Sequence, residues 1–279
     1  MDPTTSITTI QTLMMAVLQG VSELFPVSSL GHAVIIPHLL GWTIDRYATS
    51  YLPFLVTLHL GTAIALAAYF RGDWWALLSS LLPKADSAKV REDRFILLLI
   101  VLGTVPAGLV GLVLEKRLAN LFGSYQLVAL FLILNGGLLV AGELLRRRER
   151  TQGLSMLRPT QAVAIGLAQA IALLPGFSRS GATMVGGLMV GLTHQAAARF
   201  GFLLSTPIIL AAALLELPKL FQPDLRPTLG PALLGGVVAG TVAYVSTAVL
   251  MRYFKTHEVN ALLPFAVYCV ALGAITLVV

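Results

Sequence analysis

Gln19 to His32 reads QGVSELFPVSSLGH. A glutamate, three serines and a histidine fall within fourteen residues of a chain that is 57% hydrophobic and 11% charged. A soluble domain carries about a quarter charged residues, so the surroundings of this stretch decide how it is read. Phe95–Leu114, Leu118–Gly142, Pro227–Met251 and Val259–Val279 contain no Asp, Glu, Lys or Arg. About 20 apolar residues cross a bilayer core of roughly 30 Å. The sequence therefore describes an all-α polytopic integral membrane protein, and Gln19–His32 is a polar break inside an apolar segment.

The break has a counterpart. QGVSELFPVSSLG from Gln19 aligns with QAIALLPGFSRSG from Gln169, pairing Gln19 with Gln169, Ser28 with Ser178 and Gly31 with Gly181. LGTVPAGLVGLVLEKR from Leu102 resembles AGTVAYVSTAVLMRYF from Ala239. The order of these matches predicts one membrane domain over 1–279, built from two repeats, 1–148 and 149–279. Pro26 and Pro175-Gly176 interrupt helices, leaving pieces of about 12 to 16 residues, or roughly 18–24 Å. Each is too short to cross, so each repeat opens with a re-entrant helix-loop-helix. Irregular backbone at that depth survives only where protein or a watery cavity satisfies it.

Three spans follow in each repeat, at 51–70, 95–114 and 126–145 and at 199–217, 229–251 and 261–279. Three is odd, so the second repeat is inverted. The loops at 71–94, 146–158 and 252–258 hold twelve basic residues: Arg71, Lys84, Lys89, Arg91, Arg94, Arg146, Arg147, Arg148, Arg150, Arg158, Arg252 and Lys255. The other side holds five, Arg46, Lys116, Arg117, Lys219 and Arg226. Positive loops lie inside, which puts both termini and the mouth of the first re-entrant pair outside. In inverted-repeat membrane proteins such paired loops meet near the midplane. The net charge of +6 then reports orientation rather than nucleic-acid binding. The single cysteine, Cys269, excludes an internal disulfide and a cysteine-based metal site. The opening MDPTTSITTI has no basic flank and does not read as a cleaved signal peptide.

The chemistry sits in the two loops. Gln19 and Glu23 are four apart and share a helix face. His32 follows Ser28 by four residues and Ser29 by three, so it can sit over either hydroxyl, the arrangement of a base beside a nucleophile. In the second loop Ser178, Arg179, Ser180 and Thr183 flank a helix start. A guanidinium with neighbouring hydroxyls and free N–H groups suits a phosphate. Glu23 is the expected acid, since a membrane glutamate is expensive to keep. His59 lines the same cavity or merely packs. His38, His194 and His257 read as connector or interface residues.

QGVSELFPVSSLGH and LLPGFSRSGAT (Leu173–Thr183) also resemble the signature segments of the bacterial undecaprenyl-diphosphate phosphatases, the bacitracin-resistance family. The resemblance covers nearly the whole chain. It implies hydrolysis of undecaprenyl diphosphate to undecaprenyl phosphate and inorganic phosphate, which recycles the lipid carrier of peptidoglycan synthesis in the bacterial plasma (inner) membrane. The site is expected to open to the periplasm. It implies Glu23 as essential acid and metal ligand, Gln19 as its partner, Ser29 as nucleophile, His32 as acid/base or its support, and Arg179 as phosphate ligand. Ser28, Ser178, Ser180 and Thr183 are the implied supporting donors. A divalent cation, Mg2+ or Ca2+, is the implied cofactor, and charge balance agrees, because a diphosphate brings about two to three negative charges to a site with one arginine. Implied partners are the polyprenyl diphosphate and membrane lipids, with no nucleic acid; a homodimer is admitted by the sequence without a residue that specifies it. Two positions depart from the family pattern: Gln19, where many members carry Glu, and His59, where Gln is expected.

The strongest rival is a lipid-phosphate flippase or transporter with the same inverted-repeat architecture. It needs Arg179 but has less use for a serine beside a histidine. A phosphatidic-acid-type phosphatase would need a histidine at position 185, which is Val185. A purely structural subunit has no use for two polar loops in lipid.

Overall fold

Several helices begin at a serine or threonine that caps them. Thr8 starts the first with a capping box: its hydroxyl accepts from the Gln11 N–H at 3.2 Å, and the Gln11 side chain accepts from the Thr8 N–H at 2.9 Å. The computed structural model describes residues 7–45, 48–83, 87–119, 124–146 and 153–279. Among these are eleven α-helices and no strand: α1 Thr9–Ser22, α2 Ser29–Leu39, α3 Tyr51–Tyr69, α4 Arg71–Ser79, α5 Ala88–Ala119, α6 Tyr125–Leu145, α7 Pro159–Ile171, α8 Arg179–Met189, α9 His194–Glu216, α10 Arg226–Thr256 and α11 Leu263–Val278.

Short helices stand where the interrupted segments predict them. α1 and α2 have 14 and 11 residues and α7 and α8 have 13 and 11, about 16–21 Å each. Among the described residues five helices, α3, α5, α6, α9 and α10, are long and apolar enough to cross a membrane. The expected crossing at 261–279 is a shorter helix, α11, of 16 residues. Outward faces remain apolar: Val101, Leu109, Val237 and Val245 are exposed, as a lipid-facing surface requires.

Three boundaries differ from expectation. The loop at 71–94 contains α4 and the start of α5, because Arg71–Ser79 continues the chain helically after Phe70 and places Leu77 in the core. The loop at 252–258 is mostly the last turn of α10. The span expected at 199 begins at His194, where Thr193 caps α9 by accepting from the Ala196 N–H at 3.2 Å. His194, read as a connector or interface residue, is fully buried and meets Glu143 Oε1 at 2.9 Å. That carboxylate oxygen also accepts from the Leu262 N–H at 2.7 Å, and Arg146 donates to the Glu258 carbonyl at 2.6 Å. The cluster ties α6, α9 and the α10–α11 link together at one end. Arg46, Lys84, Arg147, Arg148, Arg150 and the repeat boundary at 148/149 lie outside the described residues.

Helices in lipid gain little from hydrophobicity and associate by close packing of small residues. Gly61 of α3 lies directly on Gly236 of α10, where no Cβ fits. The α6–α11 seam is reciprocal. A Cβ on Gly136 would come within 2.8 Å of the Ala266 carbonyl oxygen and 2.6 Å of Val270. One on Gly273 would come within 2.7 Å of the Ala129 carbonyl oxygen and 2.6 Å of Ile133. Against α6, on the side of α2 and α8, the two loops come together: Gly31 packs on Gly176 and Gly181 on Pro26.

Candidate active site

Each loop is shaped by one serine. Ser28 ends the first loop at φ 68° and caps α2 by accepting from the Gly31 N–H at 3.1 Å. Ser178 caps α8 by accepting from the Gly181 N–H at 3.1 Å. Both helices thus start at buried positions with their N-terminal dipoles toward the loops. The loop backbone is satisfied across the gap: Ser180 donates to the Phe25 carbonyl at 3.1 Å, and Asn135 of α6 donates to the Pro26 carbonyl at 3.0 Å. This is how irregular backbone avoids orphaned groups far from water.

Glu23 is the centre of the arrangement. It stands at the C-terminus of α1 and is buried. Its Oε2 accepts from Gln19 Nε2 at 2.9 Å and from the Ser29 hydroxyl at 2.5 Å. His59 Nε2 of α3 lies 3.2 Å from the same oxygen, and its Nδ1 donates to the Leu55 carbonyl at 2.9 Å. The other oxygen, Oε1, takes a hydrogen bond from Arg179 Nη2. A buried carboxylate and a part-buried guanidinium from opposite halves of the chain therefore form one pair, each offsetting the other's charge. Arg179 Nη1 is buried without a hydrogen-bond partner, so the guanidinium retains an unused donor.

Ser29 is the hydroxyl that meets a base, and the base is Glu23. The arrangement of His32 over Ser28 or Ser29 is not formed. His32 Nδ1 donates to the Ser28 carbonyl at 2.7 Å, and Nε2 pairs with the Tyr268 hydroxyl of α11 at 2.7 Å, the two rings stacked with planes 3° apart. The Ser28 carbonyl, which as the N-cap of α2 also accepts the His32 N–H at 3.1 Å, takes one ring nitrogen, and Tyr268 of α11 takes the other. His32 thus braces α2 against α11. Thr183, expected as a phosphate donor, bonds back to the Arg179 and Ser180 carbonyls at 2.9 and 3.0 Å and packs on Gly201. It stays on its own helix. Ser28 and Ser178 are spent as caps, and Ser180 pairs with Ser178 Oγ at 3.0 Å as well as with Phe25. The structure therefore brings Gln19, Glu23, Ser29 and Arg179 together and uses Ser28, Ser178, Ser180, Thr183 and His32 to hold them there.

His59, read as lining the cavity or merely packing, meets Glu23. Two residues of the site were not singled out by their sequence surroundings: Tyr268 had no polar neighbour to mark it, and Asn135 is an amide inside the charge-free stretch Leu118–Gly142. An amide at the middle of a membrane helix is itself a signal, because it must find partners.

No group of three or more His, Cys, Asp and Glu side chains able to hold a metal occurs among the described residues. The protein offers one carboxylate, Glu23, with oxygen atoms of Gln19 and Ser29 beside it. That set fits a hard cation such as Mg2+ or Ca2+ only as a minority of its ligands, with phosphate oxygens and water completing the shell.

Residues 12–275 match the model of the family described as bacitracin resistance protein BacA. The undecaprenyl-diphosphatase of Acidiphilium cryptum strain JF-5 is 51% identical over 270 residues, covering 95% of this chain and 96% of that protein. That of Granulibacter bethesdensis is 50% identical over 281 residues, covering 96% and 95%. Undecaprenyl-diphosphatase 2 of Chromobacterium violaceum is 51% identical over 269 residues, covering 96% and 97%.

Proposed function

The chain belongs to the bacitracin resistance protein BacA family, and on that footing we propose that it is an undecaprenyl-diphosphatase. It hydrolyses undecaprenyl diphosphate to undecaprenyl phosphate and inorganic phosphate, returning the lipid carrier to cell-wall synthesis and conferring bacitracin resistance. The observation that carries the catalytic part of this reading is the meeting of Arg179 with Glu23, itself hydrogen-bonded to Ser29.

The residues divide the work as follows. Arg179 has a free Nη1 donor and stands at the N-terminus of α8, so it grips the terminal phosphate. Substrate draws the guanidinium off Glu23, which leaves the carboxylate to accept the Ser29 proton. Ser29 Oγ attacks the terminal phosphorus in line. The bond from phosphorus to the bridging oxygen breaks, and undecaprenyl phosphate leaves with the electron pair. Glu23 passes the Ser29 proton to the departing phosphate oxygen and is a carboxylate again. Water then attacks the phosphoserine with Glu23 as base, the bond from phosphorus to Ser29 Oγ breaks, and the proton taken from water returns to that oxygen as inorganic phosphate leaves. Gln19 and His59 keep the carboxylate in place. A bound Mg2+ or Ca2+ would be held by Glu23 together with substrate oxygens, and would supply Lewis-acid neutralisation of the diphosphate.

The two halves are read as inverted repeats, supported by the matching caps at Ser28 and Ser178 and the reciprocal α6–α11 seam. The basic residues orient the protein in the inner membrane with the site opening to the periplasm and both termini outside. The experiment is phosphate release from undecaprenyl diphosphate by the purified protein in detergent, where membrane sidedness is absent. Release with turnover supports the reading. A flippase releases none, and that result would overturn it.

A further inference from the structure

Asn135 reaches both loops from a third helix. Its Nδ2 donates to the Pro26 carbonyl at 3.0 Å and to Cys269 Sγ at 3.4 Å, and its Oδ1 accepts from the Ser178 N–H at 2.9 Å. Both amide hydrogens and the carbonyl are used, and the side chain is fully buried. The amide admits one orientation: turned over, it would set oxygen against the Pro26 carbonyl and NH2 against the Ser178 N–H. Pro26 lies between Glu23 and Ser29 in the chain, and Ser178 is bonded directly to Arg179. A single planar group thus fixes the separation of the loop that carries the base and nucleophile from the loop that carries the cation. The backbone of α6 around it is an equally close seat. A Cβ on Gly176, at φ +113°, would come within 2.5 Å of the Val128 carbonyl oxygen and 3.0 Å of the Leu132 nitrogen.

We propose that Asn135 is a positioning residue for the phosphatase reaction: it sets the register of the two loops so that Arg179 and the Ser29–Glu23 pair address one phosphoryl group. This rests on those three residues being the active site. In-line attack is sensitive to displacements of about 1 Å, and away from water the loops have no cheap replacement for these bonds. Asn135 touches no reacting atom, so its loss should leave substrate binding largely intact and spoil the alignment.

The test is kcat and KM for undecaprenyl diphosphate in detergent, with unfolding temperature, for wild type, Asn135→Ala, Asn135→Asp, Arg179→Ala and the Asn135→Ala/Arg179→Ala double variant. Asn135→Asp keeps the shape and the acceptor for Ser178 but places an oxygen against the Pro26 carbonyl, so it serves if the alanine variant does not fold. The expected result is a fall in kcat of about 10- to 100-fold with KM within about 3-fold. In the Arg179→Ala background the further fall should be under about 3-fold, since nothing remains to be aligned. Near-normal kcat in both single variants, a rise in KM that accounts for the loss, equal losses in both backgrounds, or failure of both single variants to fold would each overturn the proposal. Wild-type protein that releases no phosphate would instead sink the phosphatase reading, and this one with it.

Discussion

The loop that follows α1 and the loop that follows α7 are built alike. Each comes after a helix with a buried glutamine near its end, Gln19 or Gln169, and each closes on a serine that caps the next helix through a glycine N–H at 3.1 Å. They differ four residues after the glutamine, where the first loop has Glu23 and the second has Leu173. They differ again just after the capping serine, where the first has Ser29 and the second Arg179. Gln19 therefore has a carboxylate to hold, whereas both amide atoms of Gln169 are buried without a partner. A shared local design makes two converging helix N-termini, and a few unlike side chains give one end a carboxylate and a hydroxyl and the other a guanidinium. Neither loop is a site by itself.

The sharpest way to break this division is to remove the proposed nucleophile. Ser29→Ala should lower turnover by at least about 10³-fold, as loss of a nucleophile does, whereas Ser28→Ala should retain much more. Phosphate release at saturating substrate checks both, and the reverse ranking would move the nucleophile to the cap. Removing either charge should have the next largest effect. Arg179→Ala and Glu23→Ala should each lower turnover by at least about 10²-fold in folded protein, the scale of one lost charge-stabilising group. If both keep near-normal turnover, the two loops do not share a site. Arg179→Lys should fall between, because a point charge lacks the planar fork.

Smaller effects sharpen the comparison of the glutamines. Gln19→Leu removes a donor to Glu23 and should cut turnover by about 10-fold; Gln169→Leu removes an amide that bonds nothing. The second change should leave turnover within about 2-fold, and unfolding should be unchanged or stabilised by up to about 1 kcal/mol. A thermal melt of the Gln169 variant that shows marked loss would reveal a partner for the amide. At the low end, Thr183→Val should leave KM within about 2-fold, since its hydroxyl bonds only to its own helix. A large rise in KM would return it to the phosphate site.

The charge-free runs and the two proline-interrupted segments are visible in one dimension, because lipid demands about 20 apolar residues per crossing and proline removes a backbone donor. That much made the all-helical membrane class, the short helix pairs and most of the long helices legible. So were Gln19, Glu23, Ser29 and Arg179, whose residue types in an apolar chain carry their own warning. The boundary at His194 was less legible, because a histidine at a helix start reads alike whether solvent or Glu143 faces it.

What the tertiary structure decided is which of these polar atoms meet. Chain spacing placed His32 within reach of the serines, but the bond went to the Ser28 carbonyl and to Tyr268, more than two hundred residues away in the chain. The partners of Glu23, His59 and Arg179, and the bridge through Asn135 come from helices far apart in sequence. The sequence by itself determined the class of protein, the two polar loops and their stock of side chains, since these depend on composition and local backbone chemistry. Only the packing of α6, α11 and the two loops settled the pairing. A hydrogen bond depends on separations and angles within a few tenths of an ångström, and no residue spacing along a chain encodes those.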